Sequence, residues 1–181
     1  TLNKDFCGVF NGDGYAVCGI YINTRNAIQG LFGTNRHSVI ANLGVAESYI
    51  YANSYWVGGV VGCNYGTVTN CYNTGSVVAS GDYVGGVVGF SDGTVTDCYN
   101  VGSVTGKENV GGVVGESAMG GSVTDCYNTG RVNGNRNVGG VIGFNCSSIT
   151  ECYNTGNITG SNGVGGVIGV NTATGTLSPA S

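Results

Sequence analysis

Glycine-flanked pairs of β-branched residues set the rhythm of this chain. Val57–Gly62 reads VGGVVG, and the same six residues return at Val84–Gly89 and Val110–Gly115. VGGVIG follows at Val138–Gly143 and Val164–Gly169. A second word keeps step with the first: Cys-Tyr-Asn at Cys71–Asn73, Cys98–Asn100, Cys126–Asn128 and Cys152–Asn154. Both recur every 26–28 residues, a period that belongs to stacked-repeat architectures. Within a repeat, Gly, Asn, Asp and Ser bound short Val- and Thr-rich runs, such as Val84–Phe90, Thr94–Tyr99 and Ser103–Thr105. Runs of this kind predict strands. Helix is excluded because no 3.6-residue apolar period survives and Gly interrupts every few positions.

Three short strands per repeat predict an all-β fold, a parallel right-handed β-solenoid of about six coils with a triangular section. At sheet spacing this makes a rod roughly 30 Å long. One domain spans 1–181. Residues 1–56 form divergent amino-terminal coils, 57–163 form four regular repeats, and 164–181 start an incomplete terminal coil. A single coil cannot bury its own apolar side, so stacking supplies the stability. The recurrent glycines mark sharp turns or close approaches of neighbouring backbones.

Composition narrows the function. Charged residues are 9% of the chain, hydrophobic ones 41%, and Gly contributes 36 residues. Low charge with many β-branched residues argues against disorder. The net charge is −4, with six scattered basic residues, so nothing marks a nucleic-acid or anionic-membrane partner. No apolar run approaches the roughly 20 residues of a membrane span. A start at Thr1 without a leader is expected of a processed product or a fragment. Abundant Asn, Ser, Thr and Tyr predict a secreted or surface-displayed protein, with which eight Cys are compatible.

The repeat resembles the GLUG motif of bacterial cell-surface proteins. The resemblance rests on GGVVG…GTVTNCYNTGSV (Gly58–Val77) and its successors GTVTDCYNVGSV, GSVTDCYNTGRV and SSITECYNTGNI. FCGVFNGDGYAVCGIYI (Phe6–Ile22) and GLFGTN (Gly30–Asn35) resemble the lead-in that precedes such repeats. What the resemblance implies is an adhesin-like β-solenoid of a large secreted or wall-associated protein. Such repeats also accompany a surface metalloprotease that cleaves immunoglobulin A, without forming its catalytic part. No H-E-x-x-H motif occurs here.

Chemistry in such a chain comes in columns. Thr67, Thr94, Ser122 and Ser148 precede the apolar column Val68, Val95, Val123 and Ile149, and Thr69, Thr96, Thr124 and Thr150 follow it. Alternation puts the hydroxyls on the side opposite the β-branched column. The outward T-x-T array is either an ordinary half-exposed strand face or a candidate ice or ligand face. Tyr72, Tyr99, Tyr127 and Tyr153 form an aromatic ladder, which is core if buried and a platform for sugar rings if exposed. Asn73, Asn100, Asn128 and Asn154 are expected to hydrogen-bond along the stack.

Strict alternation would place Cys71, Cys98, Cys126 and Cys152 beside Thr on the outside. A bend at Asn70, Asp97, Asp125 and Glu151 would turn them inward, which suits the preference of free Cys for burial. They are candidate buried thiols or disulfides between coils, and Cys7–Cys18 is a candidate bridge in the first coil. Cys63 and Cys146 occupy unlike positions and are not expected to pair. There is no C-x2-C, and His37 is the only His, so no metal, cofactor or catalytic residue is assigned. Asn11–Gly14 resembles a fragment of a calcium loop but lacks its alternating carboxylates, and is expected to be a turn.

These readings together predict a non-enzymatic extracellular rod, adhesive or structural. Its expected partners are a second copy end to end, the remainder of a longer surface protein, or glycans and a host surface. Ice binding through the T-x-T array is one alternative, and a glycan-binding or glycan-active β-helix is another.

Overall fold

The computed structural model describes residues 5–173, so the 174–181 portion of the expected incomplete coil lies outside the described residues. The chain winds into a β-solenoid of about six turns with no helix among these residues. Its strands gather into three sheets of 14, six and five members, and neighbouring turns pair in parallel. The register repeats the sequence words faithfully. Val61 pairs with Val88, Val88 with Val114, Val114 with Ile142, and Ile142 with Ile168.

A regular turn holds five short strand segments rather than three: Val88–Ser91, Thr94–Thr96, Tyr99–Asn100, Val104–Thr105 and Glu108–Gly111. The extra breaks have identifiable causes. VGGVVG is a corner, with Val84–Gly85 in the five-stranded sheet and Val88–Ser91 in the 14-stranded one. A Cβ on Gly86 would run into the Gly112 carbonyl and the Asn100 side chain. Close approach, and not a left-handed backbone, therefore requires glycine there.

The left-handed turns fall on other residues. One column precedes each VGG word, at Trp56, Tyr83, Asn109, Asn137 and Gly163, with φ of 60°, 62°, 51°, 52° and 62°. A second precedes each CYN word, at Asn70, Asp97, Asp125 and Glu151, with φ of 49°, 54°, 52° and 53°. Asn and Asp enter this region more readily than bulky side chains.

The second and third turns are less broken. Phe32–Ala46 and Val61–Asn73 are continuous strands paired along their length, with one register shift between Arg36 and Val39. His37 sits inside that bulge with φ 49°. Val9–Asn11, Ala16–Cys18 and Tyr21–Thr24 form the outermost turn.

The apolar columns make two separate cores. One joins the Val60/Val87/Val113/Val141, Val68/Val95/Val123 and Cys71/Cys98/Cys126 columns. The other joins Ile50/Val77/Val104/Val132 to Val57/Val84/Val110/Val138. Nearly all of these side chains are wholly inaccessible, and each buried Val stabilises by about 1.5 kcal/mol or more relative to an exposed one.

Candidate functional site

The outer face of the 14-stranded sheet carries the T-x-T array. Thr94 pairs with Thr67 and Ser122, and Thr96 with Thr69 and Thr124. Ser122 and Thr124 pair with Ser148 and Thr150. Val68, Val95 and Val123 point inward and are fully buried, whereas the hydroxyl residues are half-buried and Ser148 is exposed. The array stops at one end because Val39 and Ala41 stand opposite Thr67 and Thr69. Its hydroxyls bond weakly along the stack, as in Ser122 Oγ to Thr94 Oγ1 at 3.5 Å.

Next to the array, the left-handed residues Asn70, Asp97, Asp125 and Glu151 bend the chain and turn the following Cys inward. Cys71, Cys98 and Cys126 are inaccessible, and Cys152 in the last described CYN is half-buried. Each thiol donates to the carbonyl two residues earlier, as from Cys98 to Thr96 and from Cys126 to Thr124, both at 3.1 Å. All eight cysteines are free, so the structure forms no disulfides between coils. Burial holds the Cys98 thiol well above its ordinary value, which keeps it neutral and unreactive. Cys7 and Cys18 are also unbridged and exposed. Cys18 lies in the strand paired to Gly44–Ala46, whereas Cys7 precedes the strand paired to Val39–Ala41. Cys63 is buried and Cys146 half-buried, and hydrogen bonding with Cys63, then burial, pushes the Tyr65 phenol up to about 12.

The Tyr ladder is nearly an ideal stack. Ring centroids of Tyr72, Tyr99, Tyr127 and Tyr153 are 5.0, 4.9 and 5.1 Å apart, with interplanar angles of 7°, 3° and 5°. Its amino-terminal end is seated on Gly44, where any Cβ would collide with the Tyr72 ring. The ring faces of Tyr99 and Tyr127 are thus covered by their neighbours, and a sugar ring has no face on which to stack in the body of the ladder. Burial first, then neighbouring phenols, raises the pKa of Tyr99 and Tyr127.

Beside the Tyr ladder runs a buried amide ladder. Asn73 Nδ2 donates to Asn100 Oδ1, Asn100 to Asn128 and Asn128 to Asn154, each at 2.8 Å. Asn100 and Asn128 each donate also to a glycine carbonyl two residues on.

The bend column changes chemistry along the rod. Asn70 donates to Asn42 at 2.7 Å and Asn42 to Asn11 at 2.8 Å, but Asp97, Asp125 and Glu151 continue the column as exposed acids. Glu151 is pushed up by sharing a hydrogen bond with Asp125. Among the described residues no group of three His, Cys, Asp or Glu side chains is placed to hold a metal ion. His37 is exposed in its bulge. Asn11–Gly14 is a turn, in which the Asp13 N–H donates to Asn11 Oδ1 at 3.0 Å.

A further cluster involves residues that the periodic words leave out. Trp56 lies 5.2 Å from Tyr55 at 90°, 5.6 Å from Phe90 at 37°, and 6.5 Å from Tyr83 at 58°. Tyr65 joins through Phe90 at 6.2 Å, and the Arg36 guanidinium sits 4.9 Å from the Tyr65 centroid while pairing with Asp5 at 2.5 Å. The same outward column continues as Glu116 and Phe144. Burial raises the pKa of Glu116, opposed by a hydrogen bond from Asn109 at 2.6 Å.

Comparison with known proteins agrees with this geometry. The GLUG motif matches residues 53–78, 106–133 and 134–159. The chain is a β-solenoid that carries the GLUG motif in three of its turns. A solved structure from Bacteroides ovatus, named as a candidate immunoglobulin A1 protease, superposes on it with a TM-score of 0.78 at 23% identity. The overlap covers 89% of this chain and 55% of that one, so this chain spans little more than half of its neighbour's length. At that identity the likeness shows the fold alone. No curated protein matches the chain in sequence.

The GLUG words account for the inward columns and miss the aromatic cluster. One signal for it was present in the repeats themselves. The residue before each VGG word changes from Trp56 and Tyr83 to Asn109 and Asn137, and only the structure shows that this position is left-handed.

Proposed function

We propose that this GLUG solenoid is a non-catalytic rod displayed outside the cell, which spaces or attaches surface components and lengthens end to end. The observation that carries the reading is the stacking register, which runs without a shift through the regular turns from Val61 to Asn171. Asn, Cys and Tyr, the groups a site would draw on, are taken up turn after turn by hydrogen bonds and ring contacts along the axis. A solenoid built this way resists bending because every turn shares sheet bonds and side-chain ladders with the next.

End-to-end growth follows from the same stacking, because a solenoid presents the edges of its sheets along its axis and such edges favour strand pairing. Sedimentation velocity with negative-stain electron microscopy, over a concentration series, tests the reading. The expected result is particles that lengthen at constant width as concentration rises. A monomer at every concentration, or growth by lateral clumping, would refute end-to-end association.

A further inference from the structure

We propose that the tilted aromatic cluster of Tyr55, Trp56, Tyr83 and Phe90, with the groove beside it, binds an oligosaccharide. This goes beyond the rod, which would remain a rod without a ligand.

Three independent observations converge. The first is ring geometry. In the Tyr ladder, planes lie within 7° of parallel and the faces of Tyr99 and Tyr127 are sealed by neighbours, Tyr153 alone being exposed. Around Trp56 the rings meet at 90°, 58° and 37°; Tyr55 is exposed, and Trp56, Tyr83 and Phe90 are partly buried. Tilted, accessible rings leave faces free for the apolar C–H side of a sugar. The second is backbone strain. Ile28, Trp56 and Tyr83 hold φ of 59°, 60° and 62°, where bulky and β-branched side chains are outliers. Later turns fill the same column with Asn109, Asn137 and Gly163, residues that take this conformation readily. Folding alone would favour Asn or Gly throughout, so the aromatic residues are retained for what they face.

The third is the groove. Arg25, Asn26, Ile28, Gln29, Ser54 and Tyr55 line an open depression of about 650 Å³, within the range of small-ligand sites. Tyr55 belongs to both features and makes them continuous. The two turns are held together there, since Ile28 N–H donates to the Tyr55 carbonyl at 3.1 Å and Gln29 N–H to that of Trp56 at 3.0 Å. A sugar needs an apolar platform for one face and donors and acceptors for its rim. Aromatic rings beside amides, a hydroxyl and a guanidinium meet both needs. Arg25 makes no salt bridge among the described residues, which leaves it available to a sugar carboxylate. Nucleic acid is a poor occupant for a chain of net charge −4.

Trp56 is the only tryptophan, so its emission reports on this place alone. The test uses the intact chain on an array of plant, microbial and host oligosaccharides, then titration with neutral cello- and xylo-oligosaccharides and acidic oligogalacturonides. Fluorescence and calorimetry provide the readouts. The expected result is saturable binding of at least one series with a change in Trp56 emission. Affinity should fall at least tenfold in Tyr55→Ala and in Tyr83→Asn, and stay within twofold in the ladder variant Tyr127→Ala. Tyr83→Asn borrows the residue of later turns and should keep its melting temperature, which separates lost binding from lost fold. Arg25→Gln should weaken the acidic sugars more than the neutral ones. No binding by any array member, or binding within twofold of the parent in a Trp56→Asn, Tyr83→Asn double variant, would overturn the proposal.

Discussion

The turns from Val84 to Gly163 and those before them solve the same corner differently. In the later turns the left-handed position before VGG is Asn, which accepts that backbone and joins a hydrogen-bond chain, Asn137 to Asn109 at 2.7 Å and Asn109 to Glu116 at 2.6 Å. In the earlier turns Ile28, Trp56 and Tyr83 occupy it at a backbone cost of about 1–3 kcal/mol each. Outer aromatic residues also fall into two arrangements. The Tyr ladder packs face to face, whereas the cluster around Trp56 is splayed. Where stacking alone is served, residues are interchangeable between turns; where a turn departs from its neighbours at a cost, something besides stacking is being served.

The contrast breaks most severely at the corner glycines. Gly112→Ala places a Cβ against the Gly140 carbonyl and the Asn128 side chain, and should cost about 3 kcal/mol or more. Gly166→Ala, at the same position in the last described turn, meets no described atom within 4 Å and should change stability by less than about 1 kcal/mol. Equal effects in chemical denaturation would mean that close approach is not why glycine recurs. Asn128→Ala removes the middle of the buried amide ladder, so that Asn100 Nδ2 keeps only its bond to the Gly102 carbonyl and Asn154 Oδ1 only that from the Gly156 N–H. A loss of about 2–3 kcal/mol is expected from the same denaturation experiment. Tyr127→Ala opens two stacked contacts and should cost about 1–2 kcal/mol, while Tyr83→Asn should cost nothing.

The smallest effect is a pH dependence. Burial raises the carboxyl of Glu116 above the ordinary glutamate value, so the folded state holds this proton more tightly than the unfolded chain does. The stability this confers is complete below the unfolded value of about 4.3 and is lost as pH rises through the raised folded value. Glu116→Gln should flatten that decline in melting temperature against pH, and an unchanged profile would show that Glu116 is not its source.

Much of the architecture was legible in the words themselves. Two phrases at one period define stacked turns, and the preference of Cys for burial pointed to a bend at Asn70, Asp97, Asp125 and Glu151. The five-segment turn was less legible, because VGGVVG has one β-branched composition but straddles a corner that only backbone packing between turns reveals. Neighbour geometry likewise decides the role of the Tyr column, since the same residues could present faces or edges. The aromatic cluster was hidden for another reason. Trp56 and Tyr83 share the column before VGG, but Tyr55, Tyr65 and Phe90 come from other positions in their turns, so no single column contains the cluster.

Lengthening the rod tests the central claim, that each turn is a self-similar unit stabilised by the next. Two further copies of Val110–Asn137, inserted in series after Asn137, continue every column without changing either end. The account predicts a cooperative fold that melts at a higher temperature, with a maximum dimension in small-angle scattering about 10 Å greater. A lower melting temperature, or scattering that shows a floppy insertion at unchanged rod length, would contradict it.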